Sequence, residues 1–344
     1  MKKISFLIDD ITLTGGTERV TCLLSNELSS RNYNITIYSL GFSQKKIKYE
    51  LNDNISIKNY SKKNKIFSLC KILKMTKREN ETLIVISMGK LSTYVAFLSY
   101  LKKPKHLIFS EHISFESFSY LKKLVKKLAY TAADHVVFLT EHDKNIVNMN
   151  KSKYLYIENM NSFHNSNFNI SNYSSRDNIA IAVGRYGYQK NFELLIELWK
   201  KANIPNWQLF IIGQGTSPLK KLINNNDHIE IYTETDNIQN FYNKAKLILM
   251  TSRYEGLPMV LIEAMHFSIP AISFDCKTGP KEIIQHNHTG FIIEYENNAK
   301  FVETLKRVTK ETTLLTNMSV NSKTQSERYS AESIMKKWIN LINF

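Results

Sequence analysis

Glu255-Gly256-Leu257-Pro258-Met259-Val260-Leu261-Ile262-Glu263 is the stretch on which the reading of this chain turns. Two carboxylates bracket a Gly- and Pro-containing turn and an apolar run that reaches Phe267, broken only by Glu263 and His266. Pro258 has the fixed φ suited to the first turn of a helix, so the spacing predicts a buried helix from Pro258 to Phe267. A carboxylate in so apolar a helix is costly unless something hydrogen-bonds it. Glu263 lies about five residues beyond Pro258, roughly 7 Å of helical rise. The two carboxylates can therefore hold hydroxyls at separate places on one elongated ligand. The residues alone leave a plainer reading open. Glu263 would then pair with an Arg or Lys, and Glu255 would be a solvated turn residue with Arg253 as a local ion-pair partner.

Outward from this stretch, strand-like and helix-like segments alternate, which predicts an α/β fold with parallel sheets flanked by helices. Ile4–Ile8, Ile35–Leu40, Ile84–Ser87, Leu107–Phe109 and Val136–Leu139 read as strands of a first half, with a helix over Glu18–Ser29. An Asn- and Ser-rich stretch from Asn159 to Asn178 reads as the approach to a second half. There Ile179–Val183, Gln208–Ile212, Ile229–Thr233, Leu247–Met250 and Ala271–Phe274 read as strands, the last completing the sheet, with a helix over Asn191–Lys201. The expected domains are residues 1–175 and 176–326, followed by a helix over 327–344. That tail carries Ile334, Met335, Trp338, Ile339 and Leu341, enough apolar surface to pack back onto a domain. Ligands of open α/β sheets bind beyond the carboxyl ends of the strands.

The chain has 344 residues, enough for two domains with separate cores. Lys and Arg total 46 against 31 Asp and Glu, and the net charge of +15 points to acidic partners: nucleic acid, phosphates or an anionic membrane surface. Cys22, Cys70 and Cys276 form neither a metal-like cluster nor a disulfide framework. Asp9 and Asp10 end the first apolar run too early for a signal peptide. No uninterrupted apolar stretch approaches the ~18 residues of a membrane span. The expected location is therefore cytoplasmic.

Several other positions are candidates for chemistry. Gly15-Gly16 follows the first strand and opens a helix, where backbone amides can approach an anion; a plain turn is the alternative. Val183-Gly184-Arg185 ends a strand, with Lys190 five residues on; both cations can converge on a diphosphate or simply be solvated. His112, in Ser110-Glu111-His112, stands at the carboxyl end of a strand, with His142 as a topological competitor. In Tyr120–Tyr130, Lys122, Lys123, Lys126 and Lys127 fall on one face and Leu121, Leu124, Val125 and Leu128 on the other. This basic helix either lies on an anionic membrane or buries its apolar face in the core. The common metalloprotease, zinc-finger, P-loop and nucleophile-elbow motifs do not occur, nor does an aspartate pair spaced for a catalytic metal.

Taken in order, these pieces resemble the family 4 retaining glycosyltransferases, of the bacterial surface-polysaccharide type. They comprise Gly15-Gly16 with Glu18, Glu111-His112, Val183-Gly184-Arg185 with Lys190, and Gly213-Gln214-Gly215. The Glu255–Glu263 stretch, Thr278-Gly279-Pro280-Lys281-Glu282-Ile283-Ile284 and Thr289-Gly290-Phe291 complete the set. The resemblance implies the GT-B fold: two Rossmann-like parallel-sheet domains facing across a cleft, with the C-terminal helix returning to the first domain. The first domain would be the acceptor side and the second would bind the nucleotide-sugar. Arg185 and Lys190 would hold the diphosphate, and Glu263 the ribose hydroxyls. Glu255 would sit by the transferring centre, with the backbone of Gly256, Leu257 and Met259 facing the sugar and phosphates. Gly15 and Gly16 would meet the β-phosphate, and His112 would contact the donor sugar as a second catalytic group. Neither a cofactor nor a metal is implied, because cationic side chains and helix ends neutralise the leaving diphosphate.

The resemblance thus implies transfer of a sugar, with retention, from a UDP-hexose or UDP-N-acetylhexosamine to a hydroxyl of a lipid-linked or polymeric cell-surface glycan. Capsule, O-antigen and teichoic-acid acceptors are all compatible with it. The enzyme would work at the inner face of the cell membrane, against an anionic membrane surface. A UDP-sugar epimerase of the same two-domain fold is the alternative. A non-enzymatic nucleic-acid-binding protein is a remote third reading, because the Lys clusters lie before residue 130 without a recognised nucleic-acid module.

Overall fold

The structure, a computed structural model, describes residues 1–60, 62–147, 153–163, 171–233, 235 and 237–343. The chain divides into two compact units, Met1–Ser162 with Ala331–Phe344, and Phe163–Ser330. The first unit runs β1 (Lys3–Ile8), α1 (Gly16–Ser30), β2 (Asn34–Ser39), β3 (Ser56–Asn59), α2 (Lys65–Arg78) and β4 (Thr82–Ser87). It continues with α3 (Lys90–Lys102), β5 (His106–Glu111), α4 (Tyr120–Tyr130), β6 (His135–Phe138), α5 (Glu141–Val147) and β7 (Tyr154–Tyr156). The second unit runs β8 (Ile179–Val183), α6 (Phe192–Ala202), β9 (Gln208–Ile212), β10 (Ile229–Tyr232), α7 (Ile238–Lys244) and β11 (Leu247–Met250). Then come α8 (Met259–His266), β12 (Ala271–Asp275), α9 (Pro280–Ile283), β13 (Gly290–Glu294), α10 (Asn298–Val308) and α11 (Thr312–Ser326), before α12 (Ala331–Asn343) rejoins the first unit.

Each unit is built on one parallel sheet, ordered β3-β2-β1-β4-β5-β6-β7 in the first and β10-β9-β8-β11-β12-β13 in the second. Both are doubly wound sheets whose order reverses beside the first strand, at β1/β4 and at β8/β11. This is the GT-B pair of Rossmann-like units. The central strands are continuous apolar runs because helices cover both faces: every residue of β4 and of β11 is buried. The sequence reading stopped the second sheet at Phe274, but β13 pairs alongside β12 from Ala271↔Gly290 to Asp275↔Glu294. It also missed β3, whose four residues are all exposed and give no alternating signal, and the short edge strand β7.

The boundaries differ from those expected at 175/176 and 326/327. Phe163 already belongs to the second unit, its ring 5.9 Å from Tyr242 and 5.4 Å from Phe267. Much of the Asn- and Ser-rich stretch, residues 164–170, lies outside the described residues. Near the end of the chain, Glu327–Tyr329 is a separate turn and Ser330 is extended, so the last helix starts at Ala331 rather than at Glu327. α12 packs on α1, burying Ile334, Met335, Trp338 and Leu341, while Lys337 Nζ pairs with Glu158 at 2.5 Å.

α4 overturns the reading that its apolar face packs in the core, and takes Lys126 out of the basic face. Lys126 is buried, its Nζ 2.7 Å from Glu111 Oε1, 2.6 Å from Ser92 Oγ and 2.9 Å from the Gly89 carbonyl. A buried carboxylate at the end of β5 demands a cation, and α4 supplies it. Lys126 therefore belongs to the interior, not to a surface. The rotation that brings it inward turns Leu121, Leu124, Val125 and Leu128 outward, so they are not core residues either.

Removing one partner of such a pair strands the other. We expect Lys126→Met to lower the unfolding free energy by about 3–5 kcal/mol. The double variant Lys126→Met/Glu111→Gln should recover most of that loss in urea unfolding. A double variant no more stable than the single one would show that Lys126 acts through packing alone.

Candidate active site

In the second unit the candidate residues gather where the strand order reverses, on the loops that follow β8 and β11. β8 ends at Val183 and its loop runs past Arg185, which is exposed, to Lys190. The Lys190 side chain lies across Gly184, where a Cβ would fall 2.6 Å from its Cε. Its Nζ meets Glu255 Oε1 at 2.8 Å. Gln189 Nε2 donates to Glu255 Oε2 at 3.2 Å and to the Tyr254 carbonyl at 3.0 Å, fixing the carboxylate from the other side. Glu255 itself is buried. Arg253 is not its partner: the Arg253 guanidinium stands 4.2 Å over the Tyr188 ring, and its backbone N–H donates to the Gln189 carbonyl at 2.8 Å.

Two glycines make this corner possible. Gly213, at the end of β9, approaches the Gly184 backbone so closely that a Cβ would lie 1.8 Å from the Gly184 carbonyl oxygen. Gly279 has φ +95°, and a Cβ on it would sit 2.4 Å from the Gly256 carbonyl oxygen and 2.7 Å from Pro258 Cδ. Thr278 Oγ1 donates to the Glu255 carbonyl. The Thr-Gly-Pro stretch thus braces the Glu255 turn from behind, a contact across 23 residues. Gly256, Leu257 and Pro258 form the turn into α8, whose first residue is Met259. The first amides of a helix lack intrahelical carbonyl partners and carry its positive dipole end.

One turn further along α8, Glu263 is buried as expected, 2% exposed. Tyr242 Oη donates to Glu263 Oε2 at 2.8 Å. Tyr242 stacks on Phe267 with ring centroids 5.4 Å apart. Cys276 is buried nearby; desolvation, then the charge of Glu255, pushes its thiol up to about 12, so it stays protonated at neutral pH. Among the described residues no group of three His, Cys, Asp or Glu is placed to hold a metal ion.

In the first unit, Gly15 caps α1 and the helix begins at Gly16. Glu18 folds back over Gly15, where a Cβ would meet its carboxylate at 2.4 Å, whereas nothing lies within 4 Å of a Cβ at Gly16. Gly16 is thus the open one of the two. His112, just past β5, is held by its backbone N–H to the Ser87 carbonyl (2.8 Å) and by its Nε2 3.1 Å from Ser110 Oγ. Val20, Leu24 and Trp338 share its surroundings. Burial lowers its pKa from 6.5 to about 4, so the imidazole is neutral at physiological pH. His142 is occupied elsewhere, with Nε2 2.9 Å from Glu116 Oε2. Gln189 and Tyr242 went unnoticed in the sequence, and Thr278 was noted only as part of its motif; each acts on a glutamate from a distant segment, and no local pattern marks those contacts.

Two outcomes test this geometry. Gly279→Ala should destabilise the second unit by about 2 kcal/mol or more through forced φ and the clash with Gly256, and blunt any ligand binding at Glu255. A variant that melts with wild type would remove the bracing role. His112 has a folded pKa below its unfolded value, so its contribution to stability is intact above pH 6.5 and declines as pH falls toward about 4. His112→Gln should flatten the pH dependence of unfolding in that window. An unchanged slope would mean that His112 charges freely in the folded chain.

The family of glycosyl transferases group 1 matches residues 164–325. Over its whole length the chain is 36% identical to the amylovoran biosynthesis glycosyltransferase AmsD of Erwinia amylovora, also matched over its whole length. It is 30% identical to an uncharacterized glycosyltransferase of Haemophilus influenzae, with 99% of this chain and 100% of that one aligned. The crystal structure of Anabaena HepE in complex with UDP and glucose superposes with a TM-score of 0.81 at 15% identity, covering all of both chains. With relatives of this identity over the full length of both chains, and with the family matched across the second unit, the chain belongs to the group 1 glycosyltransferases.

Proposed function

We propose that the protein transfers a sugar, with retention of anomeric configuration, from a nucleotide-sugar to a hydroxyl of a cell-surface glycan. The observation that carries this reading is the Lys190–Glu255 pair at the strand-order reversal, one turn ahead of the N-terminus of α8. Lys190, Arg185 and the α8 amides of Met259 and its neighbours offer positive charge to a diphosphate without calling on a metal. Glu263, buried on the same helix, is the acceptor for ribose hydroxyls, with Tyr242 holding one of its oxygens. Glu255, Gly256 and Leu257, in the turn that leads into α8, are assigned to the donor sugar. Gly15, Gly16 and His112 are assigned to the donor by their motif positions, His112 as a neutral hydrogen-bonding group.

In the reaction proposed, the acceptor oxygen bonds to the anomeric carbon as the bond from that carbon to the β-phosphate oxygen breaks. Attack comes from the face the phosphate leaves, and the acceptor proton passes to the departing phosphate oxygen. No protein nucleophile is required; the Cys276 thiol is protonated and Glu255 is engaged by Lys190 and Gln189. Uridine is the proposed base, with a hexose or N-acetylhexosamine as the sugar. The name of AmsD, a biosynthesis enzyme of amylovoran, supports a polysaccharide or its lipid-linked precursor as acceptor.

A diphosphate arriving at Lys190 meets the negative charge of Glu255 in a pair that already exists, so the ammonium divides its three donors between them. Glu255→Ala should therefore lower transfer about 10³-fold or more, while UDP binds at least as tightly as to wild type by calorimetry. Lys190→Ala should weaken UDP binding about tenfold or more. Wild-type turnover in Glu255→Ala would remove it from the chemistry. A panel of nucleotide-sugars, followed by slow hydrolysis, identifies the donor; recovery of an epimerised sugar-nucleotide in place of transfer would decide for the isomerase reading.

A further inference from the structure

We propose that the outer face of α2, α3 and α4 docks the first unit onto an anionic lipid bilayer, its apolar side chains entering the interface and its lysines meeting the headgroups. The proposal starts from the inversion of α4. Tyr120, Leu121, Leu124, Val125 and Leu128 are between 45% and 76% exposed, on a helix whose buried positions are Lys126, Ala129 and Tyr130. The apolar stripe continues on the neighbouring helices. On α3, Tyr94, Phe97 and Tyr100 stand at three-residue spacing and are 46–61% exposed; on α2, Ile66 and Phe67 are 63% and 73% exposed.

These residues form one surface. α3 packs against both α2 and α4. Lys65 of α2 places its Nζ 5.0 Å from the Tyr94 ring centre, and Tyr100 Oη lies 3.0 Å from Thr131 Oγ1 just past α4. The Lys126 anchor ties α4 to Gly89 and Ser92 at the start of α3. Contiguous apolar surface of this kind on a folded domain marks a site of association.

Charge selects the occupant. Besides the buried Lys126, α2, α3 and α4 together carry ten Lys and Arg and not one Asp or Glu. A second copy of this face would set lysine against lysine. An anionic bilayer offers negative headgroups and an apolar layer at once, and aromatic side chains with snorkelling lysines suit its interface. No helix among the described residues is long and apolar enough to cross a membrane, so the contact is with one leaflet. The membrane role expected for Lys122, Lys123 and Lys127 is thus shared with an apolar stripe that the core-packing alternative had turned inward. The inference is independent of the sugar-transfer reading.

Flotation of the full chain with phosphatidylcholine–phosphatidylglycerol vesicles tests it. Wild type should float with the mixed vesicles, far less with phosphatidylcholine alone, and keep part of its binding in high salt because insertion is not screened. Leu121→Ser/Leu124→Ser/Leu128→Ser should lose about tenfold or more in vesicle affinity with unchanged thermal unfolding, since these side chains are exposed. Lys122→Glu/Lys127→Glu should lose about as much at low salt. In Leu124→Trp, a blue-shifted emission on adding mixed vesicles would report insertion. Absence of flotation, or undiminished flotation of the triple Ser variant, overturns the proposal. So does a concentration-dependent dimer that the triple variant dissolves, which would assign the face to a second copy. Nucleotide-sugar hydrolysis, read in parallel, reports separately on the transferase site.

Discussion

A parallel sheet covered on both faces has almost nowhere to keep a charge except beyond the ends of its strands. Both units obey this constraint, and both place a lysine–glutamate pair there. In the first, Lys126 reaches Glu111 at the end of β5; in the second, Lys190 reaches Glu255 on the loop after β11. The pairs differ in what surrounds them. Lys126 is closed in by a carbonyl and a serine hydroxyl and works as a bolt. Lys190 sits on a glycine-lined corner beside a helix N-terminus, where an incoming anion competes for it. Identical chemistry serves structure in one place and recognition in the other because access differs.

The pattern of strands and helices was legible because β8, β11 and the interior of β4 are unbroken apolar runs and β1 is interrupted only by Ser5 after Lys3, the signature of strands buried on both faces. Edge strands were not: β3 is exposed throughout and β7 spans three residues, too little for a period to show. Of the site, the glutamates and basic residues were readable as a spaced series. Which residue engages which glutamate was not, because Tyr242 lies 21 residues before Glu263, Lys190 lies 65 before Glu255 and Thr278 lies 23 after it. Only the fold brings such residues together.

α4 shows where periodicity misleads. Its sequence is amphipathic, and the ordinary rule puts the apolar stripe inside. A single buried acceptor group reversed it: Glu111, held in the end of β5, needs a cation, and only one rotation of the helix delivers Lys126 to it. The unmet need of one carboxylate outweighs the hydration cost of several leucines, since an unpaired buried charge is dearer than an exposed methyl group.

That reversal has a consequence for how the molecule behaves in the test tube. At low ionic strength the lysines around the apolar face repel those of other molecules and keep the protein dispersed. Added salt removes that repulsion and, with kosmotropic anions, strengthens apolar adhesion at the same time. Despite a net charge of +15, the protein should therefore salt out early.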